Sequence, residues 1–229
     1  TLTQQVYLPG RAGSLQIEML AATRRQGALA FTALPRLDAL CAELAAGVPA
    51  GLLLNLALPA FPRWHYVVLT GYDLDAGSAL LHSGRHGAQA WPLATLEHTW
   101  VRAGAWALLA LPPGRWPVGA DAEAATAAVA AFERTGGAAE PTRRAWQSAA
   151  ERWPDALGPA LGLANWFMAG PDSGPGALAQ AATLLDAAAR RHDSAAAWNN
   201  LAIARARLGQ AEAARHAIAQ AERRAREAE

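Results

Sequence analysis

The hydrophobic pattern of this sequence changes at two consecutive prolines, Pro112 and Pro113, and this change constrains the fold more than any other feature. Before them, short apolar runs are bounded by glycine, proline and aspartate, which is typical of β-strands. After Pro117 the sequence is rich in alanine and keeps a helical period. The pattern therefore predicts an α+β domain over residues 1–118, followed by an all-α domain over residues 119–229.

Short apolar runs in the first part predict the strands of a mostly antiparallel sheet. They occupy residues 28–34, 50–58, 64–73, 77–83, 87–93 and 105–111. A helix is predicted before the first run, with Ser14 as its N-cap and Gly27 as its stop. A second helix is predicted between the first two runs and ends at Gly47, and a third, over 93–104, links the last two strands.

Two passages of the second part resemble each other, and their alignment places Asp155 and Asp193 at a spacing of 38 residues. That spacing is the period of about 34 residues of tetratricopeptide repeats plus a short insertion, which we place in a loop at Gly170–Gly176. The segment from 197 to 225 resembles one tetratricopeptide unit. Three helix pairs are expected, and an unrelated alanine-rich helical bundle is the alternative. The pairs cover about 121–153, 156–191 and 194–227.

The charge balance disfavours polyanionic partners. All 20 basic residues are arginine and stand against 19 acidic residues, so the net charge of +1 disfavours nucleic acid and anionic bilayers. The absence of lysine excludes Schiff-base chemistry, and the single cysteine, Cys41, excludes an internal disulfide.

No apolar run reaches the roughly 18 residues of a membrane span. No P-loop, Rossmann glycine pattern or Gly-x-Ser-x-Gly elbow is present, so no cofactor is predicted.

The run RWHYVVLTGYD, residues 63–73, places His65 at the start of a predicted strand. The next strand ends in LLHSG, residues 80–84, across a hairpin, so His65 should lie close to Ser83 or to His82. A base histidine oriented by a polar group on the neighbouring strand is the arrangement of papain-like enzymes. The alternative is a structural ring, half-buried beside its aromatic neighbours Trp64 and Tyr66.

Two further features of this region are explained by structure and not by function. His82 and His86 are four residues apart, but the intervening residues indicate a turn and no carboxylate or thiolate completes a ligand set, so no metal is predicted. Arg63, Trp64 and Trp91 are able to line a groove, although nine tryptophans in one chain are more typical of core and repeat packing.

Three sequence features together resemble a double-glycine-type, bacteriocin-processing cysteine peptidase domain, which has a papain-like fold. They are GVP at 47–49, the motif HYVVLTGYD at 65–73, and LEHTW at 96–100. The matching segment corresponds to the C-terminal two thirds of such a domain. The opening VYLPGRAGSLQIEML and the helical repeats are similar to a bacterial subgroup whose members are exported or lipid-anchored, which implies the cell envelope or periplasm.

The resemblance implies peptide-bond hydrolysis by a cysteine and a histidine, with a peptide or protein as substrate. His65 matches the base, while Ser83, or else His82, stands where the family has aspartate. The family's nucleophile lies in a Cys-Gly-Pro-type motif, which we expect upstream of Thr1. Cys41 is no substitute, because a thiol inside the amphipathic helix among Leu37, Leu40 and Leu44 is a small hydrophobe with a raised pKa.

Two other functional interpretations remain open. In the first, the papain-like domain is catalytically inactive and binds peptides, and the repeats are the main interaction surface. In the second, the chain is an adaptor in which only the repeats bind a protein partner. A chain without the family's first helix is also expected to expose apolar surface. That surface predicts pairing with a second copy or with a bound segment.

Overall fold

The computed structural model describes residues 2–11, 13–84 and 87–227. It contains a six-stranded antiparallel sheet with helices, followed by six further helices, so the predicted α+β class is confirmed. The chain divides into two compact units. The first comprises residues 1–121 and 134–136, and the second comprises residues 122–133 and 137–229.

The central sheet of the first unit confirms the predicted strands. The strands are β3 (Leu29–Thr32), β4 (Ala50–Asn55), β5 (Trp64–Asp73), β6 (Ser78–His82), β7 (Ala88–Pro92) and β8 (Ala107–Leu111). Their order in the sheet is β3-β8-β4-β5-β6-β7, and every neighbouring pair is antiparallel. Turn residues mark the strand ends, as at Gly77, where the φ of +60° suits glycine.

Short elements at the start of the first unit were not predicted. Helix α1 (Leu2–Val6) is followed by strands β1 (Tyr7–Leu8) and β2 (Gly13–Ser14), which pair with each other, and a 3-10 turn at Pro9–Arg11 lies between them. Elements of two to five residues are too short to show a hydrophobic period. Their existence depends on contacts that the local sequence does not reveal.

Three longer helices accompany the sheet: α2 (Gln16–Arg25), α3 (Leu37–Ala45) and α4 (Leu93–Val101). The predicted N-cap at Ser14 is wrong. Leu15 precedes α2 and no side chain caps the helix, because the backbone of Ser14 pairs with Tyr7 in the β1–β2 sheet. The predicted stop is correct, since the helix is followed by Gly27 with a φ of +86°.

The sheet has an inner face and an outer face. Cross-strand partners lie on the same face of a sheet, and His65 is opposite Leu54, while Leu69 is opposite Leu81. The inner face is therefore the one that carries His65 and the buried residues Leu52, Leu54, Val67, Leu69 and Leu81. The outer face carries the intervening residues, of which Trp64, Val68 and Leu80 are exposed.

The second unit is all helical, and its helices confirm the positions of the three predicted helix pairs. The predicted loop at 170–176 is two residues shorter than expected, because Pro175 starts a helix. Prolines suit the first helical position, since their missing N–H has no partner there anyway. The helices are α5 (Ala122–Arg134), α6 (Ala139–Arg152), α7 (Leu157–Ala169), α8 (Pro175–His192), α9 (Ala195–Arg207) and α10 (Ala211–Glu227).

Small residues allow the helices of the second unit to approach closely. A Cβ added at Gly162 of α7 would lie 2.2 Å from the ring of Trp146 on α6, and one at Gly158 would lie 2.5 Å from Oγ1 of Thr126 on α5. The core shared by α7 to α10 is built mainly of alanine and leucine around Trp198. Within the part of the chain that the structure describes, no helix combines the length and apolar character that crossing a membrane requires.

Candidate active site

The hairpin of β5 and β6 brings two polar side chains together on the inner face. His65 is the second residue of β5, and Ser83 directly follows β6. The Nε2 atom of His65 lies 2.7 Å from the Oγ atom of Ser83, which is hydrogen-bonding distance. These are two of the residues that the sequence singled out, and they come from positions 18 apart.

The alternation of side chains along β6 determines which of Ser83 and His82 lies on the same face of the sheet as His65. Ala79, Leu81 and Ser83 are buried, whereas Leu80 and His82 are exposed. His82 therefore lies on the outer face, where it lines a small cavity of about 260 Å³. The structure brings Ser83 and not His82 to the imidazole of His65, and His86 lies outside the described residues.

The environment of His65 is mixed. The imidazole ring of His65 is half-buried, and its partner Ser83 is 9% exposed. The Nδ1 atom of His65 forms no hydrogen bond to any residue that the structure describes. A hydroxyl both donates and accepts, so Ser83 is compatible with either tautomer of the ring. When Ser83 accepts from the Nε2–H group, the lone pair of Nδ1 is available to take a proton from a nucleophile.

Cys41 lies on α3 and has the character that the sequence predicted for it. Its side chain is half-buried beside Leu40, which is fully buried. Burial raises the pKa of the Cys41 thiol above its usual value, and the negative charge of Asp38 raises it further. A raised pKa lowers the fraction of thiolate near neutral pH, so Cys41 has the properties of a packing residue and not of a nucleophile.

The outer face carries a cleft of about 660 Å³, which we call the outer cleft. It is lined by Gly13, Ser14, Leu15, Gln16, Leu53, Pro62, Arg63, Trp64 and Tyr66. The hydroxyl of Tyr66 donates a hydrogen bond to the carbonyl oxygen of Ser14 at 3.2 Å, and its ring lies edge-on to Trp106. Burial raises the pKa of Tyr66 above its usual value.

The predicted groove is thus present in part. Arg63 and Trp64 line the outer cleft, whereas Trp91 does not, because it lies on β7 with its indole N–H donating to Gln89. Because side chains alternate along β5, Trp64 and Tyr66 face the outer cleft while His65, between them, faces the opposite side. The outer cleft and the His65–Ser83 pair are therefore separate sites.

A scan against protein-family models and a search of the curated proteins both find no match to this chain. The function of this chain is therefore inferred from the geometry of the two sites and from the motif at residues 65–73.

One structural residue near the site, Asn55, was not predicted from the sequence. Asn55 ends β4 and is 1% exposed, and its Oδ1 atom accepts hydrogen bonds from the backbone N–H groups of Ala57 and Arg63 at 3.1 and 3.0 Å. It closes the neck of the loop that leads into β5 and thereby positions the start of the strand that carries His65. The signal that the sequence offers is an asparagine within an apolar run, just before a proline-containing loop.

Proposed function

We propose that this chain belongs to a papain-like cysteine peptidase of the double-glycine type, in which His65 is the general base and Ser83 orients its ring. The observation that carries the proposal is the 2.7 Å contact between Nε2 of His65 and Oγ of Ser83 on neighbouring strands. Because that contact uses Nε2, the nitrogen left for a nucleophile is Nδ1. In this proposal the nucleophilic cysteine precedes Thr1 in the parent protein.

Each side chain has one task in the proposed reaction. Nδ1 of His65 takes the proton of the cysteine thiol, and the thiolate attacks the carbonyl carbon of the scissile peptide bond. The imidazolium then gives that proton to the leaving amine as the C–N bond breaks and a thioester remains. Water, deprotonated by the same imidazole, hydrolyses the thioester and restores the thiol. Ser83 accepts the Nε2–H hydrogen bond and holds the ring in position throughout.

The helical unit completes the proposal as a protein-binding element. Its three helix pairs and the close contacts at Gly158 and Gly162 support a tetratricopeptide-like stack, in which each pair buries its apolar face against a neighbour. Such a stack presents a surface for a helix or an extended segment of a substrate or partner. The proposed location is the cell envelope, as in the subgroup that the sequence resembles.

A second candidate function is supported by the identity of the orienting residue. Ser83 is uncharged, so it stabilises an imidazolium less than a carboxylate does, and catalysis that depends on His65 is correspondingly weaker. This favours a papain-like domain that binds peptides without cleaving them. The helical unit then acts as a scaffold.

Active-site labelling distinguishes the two candidates. Protein expressed from the entire reading frame is treated with a peptide vinyl sulfone, and the labelled residue is identified by mass spectrometry. The peptidase proposal expects one labelled cysteine upstream of Thr1, with the rate reduced about a hundredfold or more in His65→Ala. The control variant Cys41→Ser should label at the wild-type rate. Absence of labelling in the wild type supports the inactive peptide binder, and labelling at Cys41 would refute both assignments.

A further inference from the structure

The backbone of Arg63 is fixed at the wall of the outer cleft. Its N–H group donates to the buried Oδ1 of Asn55 at 3.0 Å, and its carbonyl oxygen accepts from the N–H of Leu56 at 2.9 Å. The two hydrogen bonds close the loop from Leu56 to Arg63 at its neck. Arg63 therefore projects its side chain from a defined position, although the side chain is exposed.

The guanidinium of Arg63 has no hydrogen-bond or ion-pair partner among the residues that the structure describes. The described residues that line the outer cleft include no aspartate or glutamate. The cleft is therefore cationic, and a guanidinium is suited to bind a carboxylate through two parallel hydrogen bonds. The complementary ligand group is an anion that presents two oxygens.

Apolar side chains occupy the rest of the outer cleft and its surroundings. Trp64 is 56% exposed at the wall, and Leu53 and Tyr66 are half-buried beneath it. Leu15, which also lines the cleft, is exposed, and so is Ile17 outside it. Tryptophan, tyrosine and arginine are the residue types that dominate binding energy at protein interfaces, and here all three line one cleft.

We propose that the outer cleft binds an acidic peptide segment, in which a bulky apolar side chain lies next to an aspartate or glutamate. The apolar side chain packs on Trp64 and Leu53, and the carboxylate binds the guanidinium of Arg63. A volume of about 660 Å³ is within the usual range of ligand sites.

This binding activity is independent of the proposed hydrolysis. The outer cleft opens on the face of the sheet opposite to His65 and Ser83, so a peptide bound there leaves that pair unoccupied. Binding to the chain of residues 1–229 requires no nucleophile. Failure of the peptidase proposal and failure of this proposal therefore give different results.

Fluorescence anisotropy with two matched peptides tests the proposal. The first is fluorescein-labelled Gly-Ser-Leu-Glu-Leu-Ser-Gly with an amidated C-terminus, and the second has glutamine in place of glutamate. We expect the acidic peptide to bind about tenfold more tightly, which corresponds to one charge-assisted hydrogen-bonded pair at a partly exposed site. The preference should decrease as salt is added, because the pair is accessible to solvent. This comparison uses only the wild-type chain.

A pair of variants locates the binding site. Arg63→Gln should bind both peptides with the lower affinity, while Arg25→Gln, an exposed arginine of α2 outside the cleft lining, should keep the tenfold preference. Equal binding of the two peptides by the wild type, or an unchanged preference in Arg63→Gln, would overturn the proposal. So would sedimentation showing a dimer at micromolar concentration that the acidic peptide does not dissociate, because a second copy would then occupy the cleft.

Discussion

The contact between His65 and Ser83 orients the imidazole ring without adding charge. A carboxylate at position 83 would only accept hydrogen bonds and would fix the proton on Nε2, whereas a hydroxyl allows either nitrogen to carry it. The ring is thus held in place by a partner that does not select its tautomer. In the proposed reaction, only the tautomer that carries its proton on Nε2 leaves Nδ1 free to act as the base.

Removing the hydroxyl should release the ring. In Ser83→Ala the half-buried Nε2 atom loses its partner, so we expect altered ring nitrogen chemical shifts for His65 and a loss of about 1 kcal/mol of folding free energy. Nitrogen NMR of histidine-labelled protein and urea unfolding measure the two effects. His82→Ala is the matched control, since that ring lies on the outer face, and it should leave the His65 signals in place. Unchanged His65 shifts in Ser83→Ala would show that the contact does not hold the ring.

The Cys41 thiol should react slowly near neutral pH. Burial and the charge of Asp38 raise its pKa, so at a pH near 7 less thiolate is present than in a free cysteine, and the rate should increase as the pH rises towards the raised pKa. Alkylation by iodoacetamide, followed by mass spectrometry, measures this. The same protein unfolded in urea is the control and should react faster. A folded-state rate above that of free cysteine would contradict the assignment of Cys41 as a packing residue.

At the level of elements, close packing of α7 depends on a missing side chain. Gly162→Ala would place a methyl group against the buried ring of Trp146, 2.2 Å from its nearest atom, and should cost about 1–3 kcal/mol of folding free energy. Gly176→Ala is the control, because no atom lies within 4 Å of the added Cβ at this position in α8. Alanine there should be neutral or stabilise by up to about 1 kcal/mol. Urea unfolding of both variants gives the comparison, and equal effects would mean that α7 does not pack against Trp146.

An ion pair links two helices of the second unit and should give a pH-dependent stability. Asp186 of α8 binds Arg190 on its own helix and Arg205 on α9, and the hydrogen bond from Arg190 is the largest cause of its lowered pKa. A lowered pKa contributes stability above the unfolded-state value, and this contribution disappears as the pH falls through the folded-state value.

Asp186→Asn should therefore destabilise the protein near pH 7, by no more than about 1 kcal/mol because the pair is partly exposed to solvent. The difference from the wild type should decrease as the pH falls below the unfolded-state pKa of about 3.9, and it should vanish below the lowered pKa that Asp186 has in the folded state. Urea unfolding at several pH values measures it. Asp155→Asn, which removes the exposed pair with Arg191, should have little effect at any pH. An Asp186 effect that stays constant with pH would show that it does not come from the carboxylate charge.

The sequence predicts elements well where local residues decide them, and less well where distant contacts do. The hairpin that joins His65 and Ser83 was predictable, because the apolar alternation and the turn at Gly77 are local. The N-cap at Ser14 was predicted wrongly, since pairing with β1 and the hydroxyl of Tyr66 engage its backbone instead. The outer cleft could be predicted only in part. Ser14 in one of its walls is held against Tyr66 of the sheet by a hydrogen bond, and these two residues are 52 positions apart in the sequence.

At the level of the whole molecule, the two proposed sites both lie in the first unit, and the second unit has a core of its own. The buried cluster of that core comes from α7 to α10, and α5 and α6 carry buried residues that include Phe132 and Trp146. A unit whose core residues lie within it is expected to fold alone. The proposed partner binding by the helices should therefore be separable from the proposed hydrolysis at His65.

A fragment of residues 119–229 should consequently be helical and unfold cooperatively on heating, as followed by far-UV circular dichroism. A shorter fragment of residues 157–229 is the control: it lacks α5 and α6, so α7 loses the contacts at Gly158 and Gly162 and the fragment should unfold at a lower temperature. Repeat stacks gain stability with each added neighbour, which is why the longer fragment is expected to be the more stable one. Equal midpoints for the two fragments would mean that the first helix pair is not part of the stack, and a gradual transition in the longer one would mean that the helices do not share one core.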